Sequence, residues 1–182
     1  MKKIVLSILF MASCLLSFAQ ELSVATNLAD YLNMGTLNME ASYGFARHWS
    51  AEAAVKYNPF TFGTGQEEMQ NRQRSFSAGV RYWPWHIYSG WWIAGNLRCQ
   101  EYNAGGITSE ETAEGGRIGS SLQGGYSYMI SQHLNLNIGA GAWAGRDRYT
   151  VYACPRCGRI IEHGSKFFFL PSDLILSLAF IF

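Results

Sequence analysis

Beyond its first residues the chain has no run near the roughly 18 consecutive apolar residues that a membrane-crossing helix needs. It has only four prolines, and no excess of one charge sign, with 14 lysines and arginines against 13 aspartates and glutamates. A balance this even gives no electrostatic field for nucleic acid, and nucleic-acid partners are excluded. No segment reads as a helix that could lower a thiol's pKa at its N-terminus, so redox catalysis at cysteine lacks its usual setting. What remains is a chain rich in glycine and aromatics. If such a chain enters a membrane, only a closed barrel can satisfy every backbone group in hydrocarbon.

The N-terminus gives an address. Lys2 and Lys3 precede the apolar run 4–10, and small residues at Ser17 and Ala19 flank Phe18, so residues 1–19 read as a secretory signal cut before Gln20. Cys14 is a poor lipidation site, because Met11 stands where leucine is usual and no polar tether would follow the cysteine. Residues 20–182 then form one domain. Cys99, Cys154 and Cys157 remain in it, exported to a compartment that permits disulfides.

Alternation of period two recurs in eight segments: 22–29, 36–45, 49–58, 74–83, 90–102, 116–129, 133–150 and 166–182. Their connections are short at 46–48, 84–89 and 130–132, and longer at 30–35, 59–73, 103–115 and 151–165. One face of each segment is apolar, as with Leu37, Met39, Ala41, Tyr43 and Phe45, or Leu134, Leu136 and Ile138. The other face holds Asn38, Glu40, Glu52, Lys56, Arg81, Asn96, Arg98, Arg117, Gln123, Asn135 and Asn137. The expected fold is therefore all-β, an eight-stranded antiparallel up-and-down transmembrane β-barrel with a filled polar lumen. A soluble lipocalin-like barrel would need charged outward faces.

Aromatic residues fall where two interfacial belts are expected. One belt takes Phe45, Trp49, Trp83, Trp85, Tyr88, Trp91, Tyr128, Phe180 and Phe182; the other takes Tyr31, Tyr57, Phe60, Tyr102, Tyr149 and Phe167. The last run, with Leu174, Leu176, Leu178, Phe180 and Phe182 on one face, has the pattern that barrel-assembly machinery recognises in a final strand. Localisation in the bacterial outer membrane, in contact with its lipid, follows as the expectation.

The stretch Tyr57-Asn58-Pro59-Phe60-Thr61-Phe62 after the turn Arg47-His48-Trp49-Ser50, and the ending Phe168-Phe169-Leu170-Pro171-Ser172 before 174–182, carry a resemblance. They resemble a family of small outer-membrane barrels of anaerobic gut and oral Gram-negative bacteria, classed as a domain of unknown function. The resemblance implies a membrane barrel, sometimes encoded near fimbrial genes, and hence a surface or fimbrial partner. It implies no catalytic residues and no cofactor.

The local chemistry is sparse. Cys154-Pro155-Arg156-Cys157-Gly158 has the spacing of a zinc knuckle, with His163 as a third ligand, but only one knuckle is present and no fourth ligand is evident, since Cys99 faces the lipid side. A local disulfide between Cys154 and Cys157 is the preferred reading. Glu40 and Glu52 could pass for a paired-carboxylate site, but with Lys56, Arg81 and Arg98 nearby they read as salt-bridged packing. His48, His86 and His133 read as solvated turn histidines. His163 and Ser165 share a strand face, the arrangement of an outer-membrane lipid A deacylase, with Glu162 facing the other way and no group to orient the base. The leading expectation is a non-enzymatic barrel, and the alternative an acyl hydrolase near the outer leaflet.

Closing so small a ring contributes at most ~2 kcal/mol, so replacing both Cys154 and Cys157 by serine is expected to leave assembly intact. Intact mass of unreduced protein should lie two hydrogens below that of the reduced form. Stoichiometric zinc that a chelator removes, leaving two free thiols, would reverse the assignment.

Overall fold

A computed structural model of the chain describes residues 22–63, 69–106, 111–154 and 158–182. The expected leader, residues 1–19, lies outside them. The strands are β1 (Leu22–Asn27), β2 (Leu37–Ala46), β3 (Trp49–Asn58), a two-residue β4 (Thr61–Phe62), β5 (Met69–Tyr82), β6 (Gly90–Gly105), β7 (Thr112–Ser131), β8 (Leu134–Tyr152) and β9 (Ile160–Ile181). Each long strand pairs antiparallel with its neighbours in sequence, β1 pairs with β9, and β3 passes over the stub β4 to pair with β5. The ring is therefore a closed eight-stranded antiparallel barrel with short turns at one end and longer connections at the other, the turn end and the loop end. Closure leaves no long strand with an unpaired edge.

Side-chain alternation matches the expected faces. Leu37, Met39, Tyr43 and Phe45 are exposed on β2, and Trp49, Val55 and Tyr57 on β3, while Ser42, Ser50 and Glu52 are buried between them. At the loop end the strands outrun the apolar pattern. β7, β8 and β9 continue to Thr112↔Tyr152 and Tyr152↔Ile160. Hydrogen bonding persists there after the outward residues have become polar, so the end of the hydrophobic alternation marks the end of the apolar band and not of the ladder.

Three local departures reshape the interior. The first is a one-turn helix, α1 (Leu28–Tyr31), where a strand was expected through Ala29. Asn27 caps it, its side-chain oxygen accepting from Ala29 N at 3.2 Å. The turn carries Asp30 to the lumen.

The second is a bulge in β9. Gly141 pairs with Asp173 but Trp143 pairs with Leu170, so Pro171 and Ser172 together oppose Ala142 alone. Proline has no N–H for the ladder, and strands accommodate it at such bulges. The extra residue switches the faces of the strand above it. Phe168 turns inward and is buried, while Phe167 and Phe169 face outward.

The third lies at the turn end, where residues 83–89 fold into the barrel mouth. Trp83 and Tyr88, expected in an interfacial belt, are buried there with Trp92, Ala94 and Ile181. Trp83 Nε1 donates to Ser50 Oγ at 3.0 Å, and its ring meets Tyr88 edge-on at 5.7 Å. Tyr102, also expected outward, is buried in the lumen. A ring with a polar tip suits a wet belt, but it equally suits a lumen that offers its hydroxyl or N–H a partner.

Glycines on β7 and β8 make room for this plug. A Cβ on Gly125 would lie 2.7 Å from Trp92 Cζ2, and one on Gly139 3.0 Å from the same atom. On the same strand Gly139 and Gly141 make room for Trp92 and Gln123. Gly125→Ala should therefore cost ~1 to 3 kcal/mol by overpacking. Gly95→Ala, where a Cβ meets nothing within 4 Å, should stay within about 0.5 kcal/mol. Urea unfolding of the folded barrel in micelles checks the contrast.

Candidate functional site

The lumen is organised around cations that point inward from alternate strand positions. Arg81 on β5 donates Nη2 to Glu40 at 3.0 Å and pairs through Nε with Glu52 at 2.7 Å. Asn96 on β6 donates to Glu52 at 2.8 Å. Below these carboxylates the Arg81 guanidinium lies 4.3 Å from the centre of the Trp92 ring, on the turn-end plug. Glu40 and Glu52 are thus two partners of one arginine, as expected of packed charge.

Toward the loop end Arg98 pairs with Asp173 at 2.8 Å, and Gln123 donates to the other Asp173 oxygen at 3.1 Å. Arg117 pairs with Asp147 at 3.0 Å, and Asp147 also accepts from the Tyr102 hydroxyl at 3.0 Å. Lys56 reaches Asp30 on α1 at 2.8 Å. Aromatic rings fill the gaps between these pairs. Arg98 stands 5.1 Å over Trp143, Arg117 4.0 Å over Tyr102, and Trp143 meets Phe168 edge-on at 4.7 Å. Such cation–π contacts strengthen as water is excluded.

Above this layer the lumen opens into a polar basin of about 540 Å³, walled by Lys56, Arg98, Arg117, Tyr149, Glu162 and Lys166 among others. The Arg98 Nε and Trp143 Nε1 donors in the wall have no acceptor among the described residues. Tyr149 donates to Glu162 at 2.5 Å, and the Lys166 amine sits 4.4 Å over the Tyr149 ring. The basin can hold water or a small polar solute.

The other candidates fall elsewhere. His163 and Ser165 share the outward face of β9, opposite Thr150 and Arg148. No hydrogen bond joins the two, and Glu162 points to the basin. Cys99 is an exposed free thiol on the outward face of β6. Cys154 has a bonding contact, while Cys157 lies outside the described residues, and with it both the disulfide and the Cys154, Cys157, His163 metal set. Two turn histidines are not simply solvated. His48 Nδ1 donates to the Trp83 carbonyl at 2.8 Å and His133 Nδ1 to that of Ile181 at 3.0 Å, each tying a turn to a neighbouring strand.

Of the acids that complete the lumen pairs, Asp173 shares the inward face of the last strand with Ile175 and Ser177, as alternation implies, while sequence reasoning missed Asp147, which continues the inward period from Asn135 through Trp143. Asp30 required the helix at 28–31, and Phe168 required the bulge at Pro171.

Fold and lumen together define a small closed β-barrel with an electrostatically packed interior and an apolar exterior. The chain belongs to the family described as protein of unknown function, DUF3575, which it matches over residues 4–182. No curated protein matches it.

Removing one partner of a buried ion pair costs ~3 to 5 kcal/mol because the other charge is left unpaired. Asp173→Ala should show a loss of that size, and adding Arg98→Met should recover much of it. Unfolding midpoints followed by tryptophan fluorescence measure both. Equal stability of Asp173→Ala and the double variant would show that Arg98 does not depend on this pair.

Proposed function

We propose that this protein is a barrel of the bacterial outer membrane, without catalytic activity, that stabilises the envelope or displays its loop end to a partner. One observation carries the reading: the polarity of the molecule is inside out. Asp147 is 0% exposed and Arg81 3%, while Leu97 and Phe167, on the exterior, are each 73% exposed. From the turn end up to Arg74 on β5, Glu101 on β6, Glu114 on β7 and Arg146 on β8, the outward faces of these strands carry no charge. On β8 the uncharged stretch spans residues 134–144, close to the roughly 9 to 11 residues with which a tilted strand crosses a bilayer.

A water-soluble barrel would expose this band at a large free-energy cost, since each apolar Å² left in water forgoes ~25 cal/mol. Lipid removes that cost. The leader at 1–19 would deliver the chain to the export machinery, and the strand ending at Phe182 would be read by the barrel-assembly machinery. The partner class in keeping with the family resemblance is a surface or fimbrial protein meeting the loop end. The alternative, an acyl hydrolase using Ser165 and His163, has their common face in its favour and ranks second because Ser165 lacks a hydrogen-bonded base.

Depth along β8 tests the reading. Ile138→Arg, midway up the outward face, should cost ~2 to 4 kcal/mol in lipid vesicles, whereas Thr150→Arg beyond Arg148 should cost ~0 to 1 kcal/mol. Unfolding free energies in vesicles, with flotation to verify insertion, supply the comparison. A mature protein recovered as a soluble periplasmic monomer would contradict the proposal.

A further inference from the structure

The interior pairing leaves four strand arginines on the outer wall; Arg72 lies nearer the loop end of β5, and the other three line one groove. Arg74 faces outward from β5, and Arg146 and Arg148 from β8, all three exposed. None of them takes part in an ion pair among the described residues. They line one concavity of about 1140 Å³ on the outside of the barrel. Across the rungs Arg74 pairs with Glu101, Glu101 with Gly116, and Gly116 with Arg148. Gly116 supplies the floor, where an added Cβ would meet nothing nearer than the Gln100 carbonyl oxygen at 3.9 Å. Glu101 stands on the same rung between Arg74 and Gly116, and among the described residues it too forms no ion pair.

The concavity has a polar side and an apolar side. One step from Arg74 toward the turn end stands Phe76, and one step from Gly116 stands Ile118, itself paired with Arg146. Phe76 and Ile118 are both exposed at the upper limit of the uncharged band. The Arg74 guanidinium is held 5.8 Å over the Tyr57 ring, on the β3 side of the groove. Guanidinium groups match phosphate in charge and in their planar fork of donors, and they are the side chains best suited to hold it at a membrane surface. A lone outward arginine is tolerated at headgroup depth; three around a glycine-floored groove next to apolar side chains form an amphipathic cradle.

We propose that this cradle binds a membrane lipid through a phosphate on its headgroup. Arg146 and Arg148, two residues apart on the outward face of β8, hold the phosphate, Arg74 lines the far side of the groove, and an acyl chain lies along Phe76 and Ile118. The inference rests on the membrane reading above and adds to it a specific lipid contact on one side of the barrel, at the boundary between the apolar band and the loop end.

The test uses the folded barrel in phosphatidylcholine nanodiscs doped with diphosphoryl lipid A, followed by native mass spectrometry of the released protein. The wild type should retain a lipid A adduct, and the triple variant Arg74→Gln, Arg146→Gln, Arg148→Gln should retain it at least about tenfold less, given the strength of hydrogen bonds to charged groups. Arg47→Gln, in the β2–β3 turn, should behave as the wild type. Doping with diacylglycerol, which has no phosphate, should give no adduct. Retention by the triple variant equal to the wild type, or an equal adduct with diacylglycerol, overturns the proposal, and binding of inorganic phosphate with the same dependence on the arginines overturns its lipid source. Protein that fails to enter nanodiscs refutes the membrane reading and this inference with it; protein that enters but shows no phosphate dependence refutes this inference alone.

Discussion

The interior of an eight-stranded barrel is just wide enough for side chains to fill, so a charge that points inward must be neutralised there. Here the constraint is met by pairs that span the lumen. Arg81 on β5 joins Glu40 on β2 and Glu52 on β3, Arg98 on β6 joins Asp173 on β9, and Lys56 on β3 joins Asp30 on α1. The Arg81–Glu40, Arg98–Asp173 and Lys56–Asp30 contacts connect elements that share no ladder, and Arg81–Glu52 adds to the β3–β5 ladder. They also fix register, because a slip of one residue would carry Arg81 or Asp147 to the apolar outside and leave its counter-ion unpaired within.

Packing around the pairs follows from the same constraint. Trp92 and Trp83 flank Arg81 at the turn end, and Trp143, Tyr102 and Phe168 surround Arg98 and Arg117 further up. Rings exclude water from the ion pairs, and the pairs give the rings a charged surface to lie against. Glycines at 125 and 139 are what let the Trp92 ring fit between the walls. The result is a closely packed lower barrel, with a cavity of about 50 Å³ among its ion pairs, and an open basin of about 540 Å³ at the loop end.

Much of this was legible in the period of two. The eight strands, the inward placement of Glu40, Glu52, Arg81 and Arg98, the outward face of Cys99, and the role of Glu40 and Glu52 as packing all follow from alternation and charge. Alternation fails where the backbone departs from a regular strand. Pro171 inserts a residue and turns Phe168 inward, the helix at 28–31 brings in Asp30, and the connection at 83–89 buries Trp83 and Tyr88 by folding back through the mouth. Aromatic side chains misled for a physical reason: burial in a polar lumen and exposure at an interface both favour a large ring with a polar tip. The arginine cradle went unseen because Arg74 lies far in sequence from Arg146 and Arg148 and comes to line one groove with them only through the β5 to β8 ladders.

The central claim is that the apolar exterior faces lipid while the charged interior does not, and the tryptophans report on both. Trp49 and Trp91 are exposed on the outer wall and Trp85 on the turn-end connection, whereas Trp83, Trp92 and Trp143 are buried inside. Fluorescence quenching in vesicles of brominated phosphatidylcholine distinguishes the two groups. The account predicts that wild-type emission is strongly quenched and that replacing Trp49, Trp85 and Trp91 together by Phe removes most of the quenchable signal. Quenching that survives the three substitutions undiminished, or no quenching of the wild type at all, would contradict it.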